Sequence, residues 1–142
     1  MPTPPAMEDL PVNRSSDAIR WALRPSAILA LLIIVVLSVV PGDLRPSTGA
    51  SGNFEHFIAY AGTAGLLALS RTLGPPWSIG VLMIVLAGSL EMAQLWIPGR
   101  SAGWDNFLAS TAGGLAGVIV GRFVGRNLGI WTWLDERTRN RP

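Results

Sequence analysis

The 142-residue chain contains no cysteine, which excludes disulfides, thiolate metal sites and thiol catalysis. It contains no lysine either, so all 11 basic residues are arginine. Histidine and tyrosine occur once each, and chemistry that needs an imidazole or a phenol has a single place to come from. Charge is scarce at 14%, against about a quarter in an ordinary soluble domain. With 49% of the residues hydrophobic, the balance suits lipid rather than water. The pI of about 10.4 arises from few charges, placed at the chain ends and between apolar runs. No basic stripe with interleaved aromatics occurs, so nucleic acid is not an expected partner. The zinc motif H-E-x-x-H is missing.

What is present is a series of apolar runs separated by turn signals. Residues 1–20 are polar and proline-rich and read as a flexible tail. Trp21 to Val40 (WALRPSAILALLIIVVLSVV) is long enough to cross a bilayer core at about 1.5 Å per residue, and Pro41-Gly42 stops it. A cleaved signal peptide is the competing reading. The long polar lead and the lack of a small-residue cleavage site favour an uncleaved span. Further spans follow at about 56–73, 77–97 and 106–125, divided by Gly74-Pro75-Pro76 and by Pro98-Gly99. Residues 127–142 are too polar to cross, and Ile130, Trp131, Trp133 and Leu134 suit a short amphipathic helix on the membrane surface. The expected fold is all-α, a bundle of four transmembrane helices spanning 21–126.

Arginine placement sets the orientation. Arg14, Arg20, Arg24, Arg71, Arg122, Arg126, Arg137, Arg139 and Arg141 fall on one side of the bundle, Arg45 and Arg100 on the other. Nine against two puts both termini in the cytoplasm by the positive-inside rule. In the fourth span Gly113, Gly117, Gly121 and Gly125 recur every fourth residue and form one row on a helix. Such a row lets another helix approach closely, within this chain or in a homo- or hetero-oligomer.

With that topology the polar residues of the spans gather toward the extracytoplasmic side. His56 opens span two, with Tyr60 and Thr63 continuing its face. Glu91 and Gln94 lie three apart near the end of span three, Arg100 sits in the outer loop, and Asp105, Asn106 and Ser110 begin span four. Glu91 is about six residues, or roughly 9 Å, inside its span, where a bare carboxylate is costly and wants a partner or a proton. His56 and Arg100 are the basic groups placed to reach it. A cluster His56–Glu91–Arg100 is therefore expected beneath the outer loops.

The stretches EHFIAYAGTAGLLAL and EMAQLWIPGRSAGWDNFLASTAGGLAG, roughly residues 54–125, resemble the VanZ-like family of small bacterial membrane proteins. That family has a histidine-aromatic-x-x-tyrosine start, a glutamate-x-x-glutamine, a proline-glycine-arginine loop, and an acidic residue opening a glycine-bearing span. His56, Tyr60, Glu91, Gln94 and Arg100 coincide with the pattern. Two places depart from it. Gly52 and Asn53 stand where the family has an aspartate-lysine pair. Asn106 stands at its span-four aspartate, with Asp105 one residue earlier, and Ser110 replaces an asparagine. The resemblance implies a multi-pass protein of the bacterial cytoplasmic (inner) membrane, from a family whose named member is associated with resistance to the glycopeptide teicoplanin.

Three functions remain open. One is a binder of an amphipathic envelope lipid, cell-wall precursor or lipophilic glycopeptide, through His56, Tyr60, Glu91, Gln94, Arg100, Asp105 and Asn106. Another is an intramembrane enzyme acting on an envelope lipid, with Glu91 or His56 as acid–base catalyst. The third is a packing subunit of a larger complex that uses the glycine row. Membrane lipids are partners in all three. No cofactor is expected, and the carboxylate and histidine spacings are not those of a metal site.

Overall fold

Turns rich in proline and glycine separate the four helices, although Pro25 lies within the first. The computed structural model describes residues 14–44 and 49–127. Helix α1 runs Arg14–Val39, α2 Gly52–Ser70, α3 Pro76–Gln94 and α4 Trp104–Asn127, with a short 3₁₀ turn at Gly42–Leu44. Strands are absent among the described residues. Helix α1 begins seven residues before Trp21, within the stretch read from sequence as tail, because 14–20 contain neither glycine nor proline to interrupt it. The tail 1–13, Arg45 and the amphipathic segment 128–142 lie outside the described residues.

Each boundary has a local cause. Helix α2 starts at Gly52, four residues earlier than expected, because the Ser51 side chain accepts from the Phe54 N–H and caps it. It ends where Arg71 enters the left-handed region at φ 50°, and Gly74 at φ 73° completes the reversal. Pro75 and Pro76 then open α3, where missing N–H groups cost nothing. Helix α3 ends at Gln94, and residues 95–99 form a run of turns that closes with Gly99 at φ 72°.

Three of the helices, with spans Ala22–Val39, Pro76–Gln94 and Trp104–Asn127, are long and apolar enough to cross a membrane. This is the pattern of a multi-pass membrane protein. Helix α2 falls short on composition, because Asn53, Glu55 and His56 occupy its first turns. The exposed surface is apolar in the way lipid contact requires. Along α1, Ile28, Leu29, Leu32, Ile33, Val36 and Leu37 all point outward. The interior is built from small and slender residues, with Ala27, Ala64, Ala68, Ala87, Ile79 and Met83 at its centre.

The most extensive helix–helix contact is α2 against α4, and the glycine row makes it. A Cβ placed on Gly113 would overlap the Phe57 carbonyl, one on Gly117 the Ala61 carbonyl, and one on Gly121 the Gly65 carbonyl. The partner positions rise together, 57 with 113, 61 with 117 and 65 with 121, so the two helices run parallel with their backbones in contact. Gly125, the fourth member of the row, is also buried. Gly114, on the neighbouring face, gives the same clearance to the Met83 side chain of α3. Close packing of this kind replaces hydrophobic drive inside lipid. At Gly113, Gly117 and Gly121 it is satisfied within the chain.

Candidate functional site

The end of the bundle formed by the C-termini of α1 and α3 and the N-termini of α2 and α4 carries the polar side chains. A helix C-terminus leaves its last carbonyls without partners, and α1 obtains them from α3 and the loop beyond it. Gln94 Nε2 donates to the Ser38 carbonyl at 3.3 Å. Arg100 Nε donates to the Val40 carbonyl at 2.9 Å, and its terminal nitrogen donates to the Leu37 carbonyl. A cation in this position also faces the negative end of the helix dipole. The turns that follow the two helices are joined as well. Gly42 N–H donates to the Pro98 carbonyl at 3.1 Å, and a side chain at Gly42 would collide with the Gly99 backbone. Each Pro-Gly pair, read from sequence only as a stop, is half of one backbone clasp.

The opposite wall is set by α2 and α4. Ser110, 1% exposed, brings Oγ to 3.2 Å from His56 Nδ1. The buried Tyr60 hydroxyl is within hydrogen-bonding reach of the same serine. Asn53 Nδ2 donates to Asp105 Oδ2 at 3.1 Å, tying the first turns of α2 and α4 together. Asn106 Nδ2 donates to the Ser101 carbonyl at 3.2 Å and orders the loop before α4.

Between these walls lies a polar cavity of about 150 Å³, lined by Gly42, Gly52 and Gly99 and by His56, Gln94, Arg100, Ser101 and Asn106. Among the described residues no carboxylate lines it. The expected cluster of His56, Glu91 and Arg100 is therefore divided. His56 and Arg100 share the cavity, while Glu91 faces a second space on the far side of residues 101–103. This is an apolar groove of about 370 Å³ bounded by Met92, Leu95, Trp104 and Phe107. There Glu91 Oε2 accepts from Gly103 N–H at 2.8 Å, at the start of α4. The Glu91 charge still reaches Arg100, Asp105 and Tyr60 electrostatically. Residues three apart on a helix share a face, but this face of α3 meets two neighbours, α1 at Gln94 and α4 at Glu91.

Of the other residues singled out from sequence, Tyr60 lies one helical turn beyond His56 on α2 and Asp105 is bonded to Asn53. Asn53, Ser38 and Gly103 were missed. Asn53 carried a signal, being the first polar side chain of α2. The other two take part through backbone atoms, which residue type does not announce. Among the described residues no group of three or more histidine, aspartate or glutamate side chains is placed to hold a metal ion. Comparison of the chain with protein-family models, with curated proteins and with solved structures finds no match in any of the three.

Proposed function

We propose that the chain is a VanZ-like protein of the bacterial cytoplasmic membrane that binds the polar head of an amphipathic envelope molecule in the cavity of His56, Gln94, Arg100 and Asn106. The molecule is an envelope lipid, a cell-wall precursor or a lipophilic glycopeptide. In this reading α2 is the fourth span, both termini are cytoplasmic, and the cavity opens to the extracytoplasmic side. The parallel register of α2 on α4 supports α2 as a span, since a helix held along a membrane-crossing partner crosses with it. Its 19 residues reach about 28 Å, close to the hydrocarbon thickness. Arg71, Arg122 and Arg126 at one end of the bundle and Arg100 at the other agree with the orientation.

The observation that carries the reading is the cavity itself, a small polar space at helix ends whose outer surfaces are apolar. A head enters it while the tail stays in lipid. The test is retention of co-purifying lipid by the full chain in nanodiscs, compared between wild type and the double variant His56→Ala/Asn106→Ala, with thermal unfolding measured in parallel. Equal retention by a folded variant would remove the reading.

One contact favours an enzyme as the second reading. An imidazole held at Nδ1 by a buried hydroxyl and lining a cavity has the arrangement of a general base. Turnover of an envelope lipid by wild type, lost in folded His56→Gln, would select it over simple binding.

A further inference from the structure

We infer that the head held in this cavity is a compact phosphate-type oxyanion rather than an uncharged polyol or a cationic group. The inference rests on the amphiphile-binding reading and names the chemistry of its ligand.

Donors dominate the lining. Arg100 carries a permanent charge, and two of its N–H groups are committed to the Val40 and Leu37 carbonyls. That commitment fixes the guanidinium plane at the wall and removes most of the entropy cost of engaging an anion. Gly52, the first residue of α2, and Asn106, in the first turn of α4, also line the space. Two helix N-termini, each equivalent to about half a positive charge, therefore flank the same cavity as the arginine. The Asn106 and Gln94 amides, each with one N–H given to the Ser101 and Ser38 carbonyls, and the His56 ring, held at Nδ1 by Ser110, complete the polar lining.

None of the described acidic groups at this end of the molecule lines the cavity. Asp105 is bonded to Asn53, Glu91 holds Gly103 beyond the 101–103 strip, Asp43 is exposed on the 3₁₀ turn, and Glu55 does not line the cavity. Size agrees with this choice. The space of about 150 Å³ has room for one tetrahedral oxyanion with residual waters.

Gly52 supplies a clean test, because a Cβ built there meets nothing within 4 Å and its φ is not positive. Gly52→Asp places a carboxylate at the cavity in a position where an acid stabilises the helix start. Gly52→Asn has the same shape without the charge. The experiment measures binding of phosphatidic acid and of diacylglycerol with identical chains to the full protein in neutral nanodiscs, with inorganic phosphate as competitor.

The expected result is a preference for phosphatidic acid of about tenfold or more in wild type, reduced at least about threefold further by Gly52→Asp than by Gly52→Asn, which takes up the same space without the charge. Displacement by millimolar inorganic phosphate supports the oxyanion and assigns it to a free source as well. Resistance to displacement supports a lipid-borne phosphate. Equal binding of the two lipids, or equal loss in both Gly52 variants, overturns the oxyanion and leaves amphiphile binding standing. No cavity-dependent binding of either lipid, nor of phosphate alone, overturns both.

Discussion

Glu91 is the anchor of Gly103: a carboxylate from the last turns of α3 accepts the backbone N–H at the start of α4 at 2.8 Å. The arrangement does for α4 what a capping side chain does from within a helix. It satisfies an orphan donor and sets a negative charge at the positive end of the dipole. It also fixes the 101–103 strip that separates the polar cavity from the apolar groove. Glu91→Gln keeps an acceptor and loses the charge, so the expected loss is about 0.5–1 kcal/mol, and Glu91→Ala loses about 1–2 kcal/mol. Thermal unfolding in detergent measures both. A Gln variant as damaged as the Ala variant would show that charge, not acceptance, is what Gly103 needs.

The contact of α2 with α4 predicts a steep position dependence. Gly117→Ala adds one methyl where the Ala61 carbonyl already sits. Backbone cannot move aside as a flexible side chain can, and the cost is about 1–3 kcal/mol. Gly62→Ala, on the same pair of helices but with nothing within 4 Å of its Cβ, gains up to about 1 kcal/mol of helix propensity. Opposite signs for the two substitutions in one unfolding assay are the expected outcome.

The glycine row was readable from sequence because its period of four is a property of one helix. Its partner was less visible. Phe57, Ala61 and Gly65 contribute carbonyls, and only the last two are small. The cavity was legible in part for a similar reason. Loop order and topology bring His56, Gln94, Arg100 and Asn106 to one end whatever the detailed rotation of the helices. The separation of Glu91 from that group was not legible, since about 60° of rotation between positions 91 and 94 decides which neighbour each meets. The start of α2 was hidden because Asn53 and Glu55 look like loop residues until Ser51 is seen capping them.

The clasp at the C-terminus of α1 depends on the forked shape of Arg100. A lysine is a single point donor and cannot serve the Val40 and Leu37 carbonyls together. Arg100→Lys is expected to cost about 1.5–3 kcal/mol, the range for hydrogen bonds to charged groups, and Gln94→Leu about 1 kcal/mol for the Ser38 carbonyl left unpaired. Protease sensitivity of the 40–51 segment should rise in both variants alongside the fall in unfolding temperature. An Arg100→Lys protein of unchanged stability would mean that the two carbonyls find other donors.

Ser110 and Tyr60 are positioning residues for His56, and their effect should appear on the imidazole itself. With Oγ at 3.2 Å from Nδ1, Ser110 biases which ring nitrogen carries the proton. Ser110→Ala removes that bias, whereas Ser110→Thr retains a hydroxyl. Nitrogen-15 chemical shifts of the single histidine report the tautomer directly. Ala should move both ring signals, and Thr should leave them near wild type. Tyr60→Phe should fall between, since it acts on His56 only through the serine. Unchanged shifts in Ser110→Ala would dissolve the relay.

Topology is the premise beneath the cavity's exposure, and α2 is where it is decided. The helix is too polar at its start to be recognised as a span by composition, yet it is matched in parallel to α4 from Phe57 to Gly65, about 12 Å of shared axis. If α4 crosses the membrane, a helix locked backbone to backbone along it cannot lie flat on the surface without breaking three close contacts. The turn Arg71–Pro75 then lies on the opposite side from the loop Pro98–Gly103. Cysteines introduced at Thr72 and Ser101 in this cysteine-free chain should react with a membrane-impermeant maleimide from opposite sides, Ser101→Cys in intact cells and Thr72→Cys only after permeabilisation. The reverse pattern, Thr72→Cys labelled in intact cells and Ser101→Cys only after permeabilisation, would return α2 to the membrane surface and remove the cavity from the extracytoplasmic face.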